Sequence, residues 1–375
     1  MKYVDEYRAP DLARALSAEI AELAAGRPPV RIMEVCGGHT HAIYRHGLED
    51  LLPPEVELIH GPGCPVCVIP AGRLDDAIAI AHTAGVTLAT YGDMLRVPGG
   101  CGSLLEAKAR GADVRMVYSP LDALALARRE PGRHVCFFAV GFETTAPATA
   151  LTLLRASAEG VTNFSVFANH VLIEPPLRAI LGTPGLRVDA FIGPGHVSSV
   201  IGTDAYGFIA AEYGRPVVVS AFEPVDLLQS VAMLLRQRVE GRCEVENQYT
   251  RVVRAEGNPR AIAAIEETME PRADFEWRGL GVLPASALQL RPAFAEWDAE
   301  RLFPLPGVRI EDPEVCRCGD VLTGQIKPWE CGVFGTGCTP ERPMGTCMVS
   351  AEGACAAYYE YGRQRGPRAG AGVGG

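Results

Sequence analysis

The chain has 375 residues, more than one ordinary domain holds, so two or three domains are expected. Hydrophobic residues make up 48%, enough for each to bury a core, and 41 Gly and 29 Pro with only 7% aromatics exclude a fibrous or disordered chain in favour of a loop-rich α/β protein. The net charge of −10, with no long basic run, argues against a nucleic-acid binder.

The start of the chain, Met1-Lys2-Tyr3-Val4-Asp5-Glu6-Tyr7, is charged and lacks the apolar core of a signal peptide. No run of about 18 uncharged apolar residues marks a membrane span. A cytoplasmic protein without a membrane partner is expected. Residues 10–26 carry apolar positions at helical spacing and stop at Gly26. Strands are expected at 30–35, 55–60, 86–90 and 113–118, with helices at 74–84 and 103–110. A second series follows: helix 121–129, strand 134–140, helix 146–157, strand 163–168, helix 175–181, strands 190–192 and 217–220, and helix 225–238. This alternation implies parallel sheets. Two similar α/β domains are expected, 1–120 and 121–240. Residues 241–375 alternate less, hold more Trp and Pro, and form a third, cysteine-rich domain. The tail after Gly362 is rich in Gly, Arg and Ala and reads as disordered.

Parallel sheets place functional loops at the carboxyl ends of their strands. Polar and glycine-rich clusters fall there repeatedly. Twelve cysteines in a reducing compartment point to metal ligation or redox chemistry rather than structural disulfides. The first strand runs into Cys36-Gly37-Gly38-His39-Thr40-His41, one thiol and two imidazoles in six residues, with His46 close behind. Glycines after a strand let the backbone turn and expose the thiol. A thiol beside a helix N-terminus or an imidazolium has a lowered pKa and becomes a nucleophile or ligand. The second strand runs into Gly61-Pro62-Gly63-Cys64-Pro65-Val66-Cys67, a C-x-x-C that suits either a disulfide or a metal.

Gly141-Phe142-Glu143-Thr144-Thr145 opens a helix, where Glu143 or the threonines can serve as caps. No phosphate-binding glycine motif stands there. Asn169-His170, Gly193-Pro194-Gly195-His196 and Glu223-Pro224-Val225-Asp226 are further strand-end loops. Each alone reads as turn chemistry, and together they would line one cleft. Late in the chain stand Cys316, Cys318, Cys331, Cys338, Cys347 and Cys355. Soft thiolates suit zinc or an iron–sulfur cluster. Paired zinc knuckles are absent, and cysteines on separate Gly/Pro loops suit a cubane better.

The segments CGGHTH, GPGCPVCVIP, GFETTAPAT, FIGPGHVS and FGTGCTPERPMGTCMVSAEGACAAYYEY together resemble the HypD family of hydrogenase maturation proteins. The resemblance covers nearly the whole chain in order. It implies two related α/β domains and a third carrying a 4Fe-4S cluster. It implies a scaffold and redox role in assembling the Fe(CN)2CO unit of nickel–iron hydrogenases, with a small HypC-type chaperone and a HypE-type cyanide donor. By this likeness Cys36 holds or receives iron carrying CN and CO, with His39 and His41 beside it, and Cys64 and Cys67 form a redox-active pair. Cys331, Cys338, Cys347 and Cys355 are the expected cluster ligands, with Cys318 as runner-up. Glu143, His170 and His196 are expected to face the central cleft. A general thiol–disulfide oxidoreductase and a zinc-dependent enzyme are the competing classes, but neither accounts for all five segments.

Overall fold

The structure, a computed structural model, describes residues 5–363 except residue 312; the tail expected to be disordered falls on 364–375, outside the described residues. Apolar, β-branched runs form strands β1 (Val30–Glu34), β2 (Val56–His60), β3 (Val86–Thr90), β4 (Val114–Met116), β5 (His134–Gly141), β6 (Phe164–His170), β7 (Ala190–Pro194), β8 (Val217–Ser220) and β9 (Val245–Asn247). All pair in parallel. Most are buried on both faces, which explains their near-continuous hydrophobic composition. Helices alternate with them as expected. Capping boxes at Ser103 and Ser119 start the helices Leu104–Ala109 and Pro120–Arg129.

The strands make two sheets, of order β2-β1-β7-β8-β9 and β4-β3-β5-β6. The chain does not divide between them near residue 120, as expected from the sequence. β1 and β2 enter the first sheet, β3 to β6 build the whole second sheet, and β7 to β9 return to the first. Ile32 thus pairs with Ala190. The reason is physical. An alternating pattern gives strands and helices but not partners, and β7 satisfies the free edge of β1.

The region from 241 onward is also shared out. β9 closes one edge of the first sheet. Two antiparallel pairs follow, β10 (Met269–Pro271) with β13 (Leu288–Leu290) and β11 (Asp274–Trp277) with β12 (Gly281–Pro284). Leu288, Leu290, Phe294 and Trp297 pack into the core of the second sheet. The cysteine-rich stretch after residue 313 lies over both units. Among the described residues no helix is long and apolar enough to cross a membrane.

Phe138 of β5 and Phe167 of β6 are register partners, both fully buried, with rings stacked at 5.4 Å. Phe138→Ala should cost about 3–5 kcal/mol, read as a lower urea midpoint with an unchanged slope. A loss below about 1 kcal/mol would mean that this sheet repacks around the void.

Candidate functional site

In an open parallel sheet the crevice forms where neighbouring strands lead away in opposite directions. In the first sheet that point lies between β1 and β7, and in the second between β3 and β5. Cys36 follows β1, and Glu143 follows β5.

CGGHTH is not an open loop. Cys36 is the N-cap of helix α1 (Gly37–His46), and its carbonyl accepts the His39 and Thr40 N–H groups at 2.9 and 3.1 Å. Neither Gly37, Gly38 nor Gly63 has a positive φ. These glycines are needed for space. A Cβ on Gly37 would meet Glu352 Cβ at 2.5 Å, and one on Gly38 would meet the Phe222 ring at 3.0 Å. A Cβ on Gly63 would fall inside the Cys36 backbone. The thiol is consequently buried, at 7% exposure, rather than displayed.

Its acidity also runs against expectation. Burial pushes the Cys36 thiol up, and the carboxylates of Glu352 and Glu34 push it further. Their negative field outweighs the helix N-terminus. The same field disfavours a bare thiolate and favours positive charge beside the thiol.

The two motif histidines part company, because residues two apart on a helix face nearly opposite ways. His39 is fully buried. Its Nε2–H donates to the Ser220 carbonyl at 3.1 Å, and its Nδ1 has no partner among the described residues. Burial lowers its pKa to about 4, so this nitrogen is a bare lone pair at neutral pH. His41 instead reaches the Ala351 carbonyl at 3.1 Å and the edge of Tyr361. Phe222 fills the space beside His39, with His196 stacked on it at 3.8 Å.

Cys64 and Cys67 are joined as a disulfide across the short helix α2 (Pro65–Val68), and both are buried. Gly37 N–H donates to the Gly63 carbonyl at 3.1 Å, which sets the pair directly beside the Cys36 turn. Thr346 donates its hydroxyl to the Cys67 carbonyl. Buried Arg278 donates its N–H to the Val68 carbonyl at 2.8 Å.

Glu143 is buried. Its Oε1 accepts the Ile173 N–H at 2.9 Å, while Oε2 has no partner among the described residues. Burial raises it to about 7. Tyr206 is buried, its hydroxyl accepting from the Ser198 hydroxyl at 3.0 Å. His170 does not face the cleft. It is fully buried beneath the second sheet's next helix, bonded to Thr149 Oγ1 at 2.9 Å and Thr145 Oγ1 at 3.3 Å. Asn169 accepts from Arg73 across the fold, and Glu223 caps the helix Pro224–Glu240, so only Glu223 is turn chemistry.

All of Cys316, Cys318, Cys331, Cys338, Cys347 and Cys355 line one cavity, closed by Val321, Val333, Phe334 and Met348. The Cys318 and Cys347 sulfurs are 2.6 Å apart. Among the described residues no three Cys, His, Asp or Glu side chains gather about a single point as one zinc ion would require.

Glu34, His60, Tyr44, Phe222, Tyr206, Arg278 and Glu352 escaped the sequence reading. Glu34 and His60 left a trace: each is a polar residue following two apolar ones at the end of a mostly buried strand. Phe222 and Glu352 left none, because their roles depend on segments far apart in the chain.

Fold and site define a two-sheet α/β protein with thiols gathered at its strand ends and a second, cysteine-lined cavity behind them. A family model named HypD, described as "Hydrogenase formation hypA family", matches residues 11–362. The chain is 56% identical over 374 residues to the hydrogenase maturation factor HypD of Rhodobacter capsulatus, covering 97% of this chain and 99% of that one. It is 57% identical over 371 residues to HypD of Azotobacter vinelandii (97% and 98%) and 53% identical over 370 residues to HypD of Escherichia coli K12 (97% and 99%). The chain belongs to the HypD family.

Two outcomes follow. Glu143 prefers its proton in the folded state, so its contribution is full below about pH 4.5 and is lost as pH rises through about 7. The stability difference between wild type and Glu143→Gln should therefore change by up to about 3 kcal/mol across that window, measured by urea unfolding at several pH values. A difference that stays flat with pH would place Glu143 in a wetter setting. Gly63→Ala should cost about 1–3 kcal/mol by overpacking and disturb the Cys36 turn; a variant as stable as wild type would show that the turn yields freely.

Proposed function

We propose that this protein assembles the Fe(CN)2CO unit of nickel–iron hydrogenases as a scaffold with redox chemistry, with a HypC-type chaperone and a HypE-type cyanide donor. The single observation that carries the reading is the Cys36 turn. A buried thiol, the bare nitrogen of His39 and two carboxylates lie at a switch-point crevice, directly beside a buried disulfide. A general dithiol oxidoreductase needs an exposed, acidic thiol to attack many partners. Cys36 is neither.

The cargo is iron. Cys36 offers it a sulfur once its proton has left, and the carboxylates of Glu34 and Glu352 draw the cation in. Phe222 stands beside the Cys36 turn, and the thiol is buried from water. Glu143, near neutrality in its titration, is suited to hold or release a proton in the facing crevice.

The cysteine-lined cavity fits a resident 4Fe-4S cluster. Its lining is thiol and hydrocarbon apart from the cationic Arg317, which suits a cluster carrying negative charge, and a cubane takes its thiolates at separate irons instead of at one point. Cys331, Cys338 and Cys355 would supply three ligands. The fourth would be Cys347, with Cys318 beside it as the alternative. Such a cluster supplies electrons one at a time.

The test is anaerobic purification with iron, sulfide and infrared analysis. About four irons and four sulfides are expected, with cyanide and carbon monoxide bands once the small partner is present. Cys36→Ala should lose those bands and keep the cluster and the fold; unimpaired loading would refute its role. Serine at Cys331, Cys338 or Cys355 should each abolish the cluster, whereas only one serine variant among Cys316, Cys318 and Cys347 should do so. Colourless protein after full reconstitution would bring a zinc protein forward instead.

A further inference from the structure

Glu34 ends β1 directly opposite His60 at the end of β2, and both are buried. Its Oε2 accepts the Cys36 backbone N–H at 2.9 Å. Its Oε1 accepts the Thr40 hydroxyl and, at 2.6 Å, the Nδ1–H of His60. An ionised carboxylate only accepts, so His60 turns Nε2 outward as an acceptor, and the Tyr44 hydroxyl donates to it at 2.6 Å. Burial keeps that hydroxyl protonated and hence a donor.

A fully buried carboxylate is costly to keep unless its neighbours satisfy it. Its neighbours here are hydrogen-bond donors: the Cys36 amide, the Thr40 hydroxyl and the neutral His60 ring. Its hydrogen bonds fix the amide of Cys36, and with it the extended N-cap backbone from which the thiol projects.

The far end of the chain of bonds meets the cysteine-rich segment. The Tyr44 ring packs edge-on against Tyr358, with centroids 5.3 Å apart. Tyr358 packs on Trp329 at 4.5 Å and on Phe334 at 5.7 Å, and Phe334 lines the cysteine cavity. Tyr358 directly follows the helical turn Ala354–Ala357 that carries Cys355, three residues before it on the same short helix.

We propose that Glu34, His60 and Tyr44 are positioning residues for Cys36, forming a buried chain that locks the thiol's backbone and ties its placement to the wall of the cysteine-lined cavity. The proposal rests on the reading of Cys36 as the iron-receiving thiol for its purpose, and on the hydrogen bonds for its existence.

A double-variant cycle on the full chain tests it, with Glu34→Gln, Tyr44→Phe and the two together. Tyr44→Phe keeps the ring against Tyr358, and thermal melting checks that the fold is retained. One readout is the rate of Cys36 alkylation by iodoacetamide, followed by peptide mass spectrometry with Cys64–Cys67 kept oxidised. The other is the position and width of the cyanide and carbon monoxide bands after loading with the small partner. Each single variant should accelerate alkylation roughly tenfold, and the double should be no faster than the faster single, because both cut one chain. The bands should shift or broaden. Multiplying effects in the double, or unchanged alkylation and bands in folded Tyr44→Phe, overturn the proposal. If wild type itself shows no bands, the iron reading fails, while the alkylation cycle still decides the chain.

Discussion

The pairing of β1 with both β2 and β7 is the constraint on which the rest depends. It opens the crevice at the end of β1, and everything reactive is placed relative to that opening. β2 brings His60 and the Cys64–Cys67 turn on one side. β7 brings His196, and β8 beyond it brings Ser220 and Phe222. Had β1 been an edge strand, Cys36 would have stood at an open corner, accessible to any thiol. Between two neighbours it is enclosed, and its chemistry is set by carboxylates and aromatic walls.

The electrostatics of the site follow from that enclosure. A helix N-terminus ordinarily favours a thiolate. Here burial and two carboxylates reverse the balance, leaving a site that rejects a bare anion and welcomes a cation. The cysteine-lined cavity works differently, since among the described residues its wall holds no carboxylate and carries the cationic Arg317. The two thiol centres are therefore electrically distinct. Thr346, Ala351 and Glu352 nevertheless join them within a single short stretch of chain.

Much of this was legible in the sequence. Strand and helix positions follow from apolar periodicity, and the elements bracket the observed ones within a few residues. The parallel arrangement follows from their alternation. Strand order does not, because Val30–Glu34 carries no mark of whether its neighbour lies twenty or more than a hundred residues away. The short helix starting at Gly37 was hidden by its own glycines, which look like a loop and serve as clearance for Glu352 and Phe222. His170 looked like a cleft residue because it ends a strand. Its buried place is set by Thr145 and Thr149, whose hydroxyls are ordinary in a helix until something meets them. The dense cysteine spacing revealed a shared cavity, but not the contact between Cys318 and Cys347.

The interleaved order of the strands also bears on how the protein is made. A ribosome delivers β1, β2 and both reactive motifs first, yet the strand that closes the crevice over Cys36 arrives only at residue 190. At ordinary synthesis rates the delay is roughly ten seconds or more. During that interval the second sheet, contiguous in the chain, has all its strands available and can form by itself, whereas the first has only a two-stranded start. The Cys36 turn is thus assembled last, on a platform that is already folded.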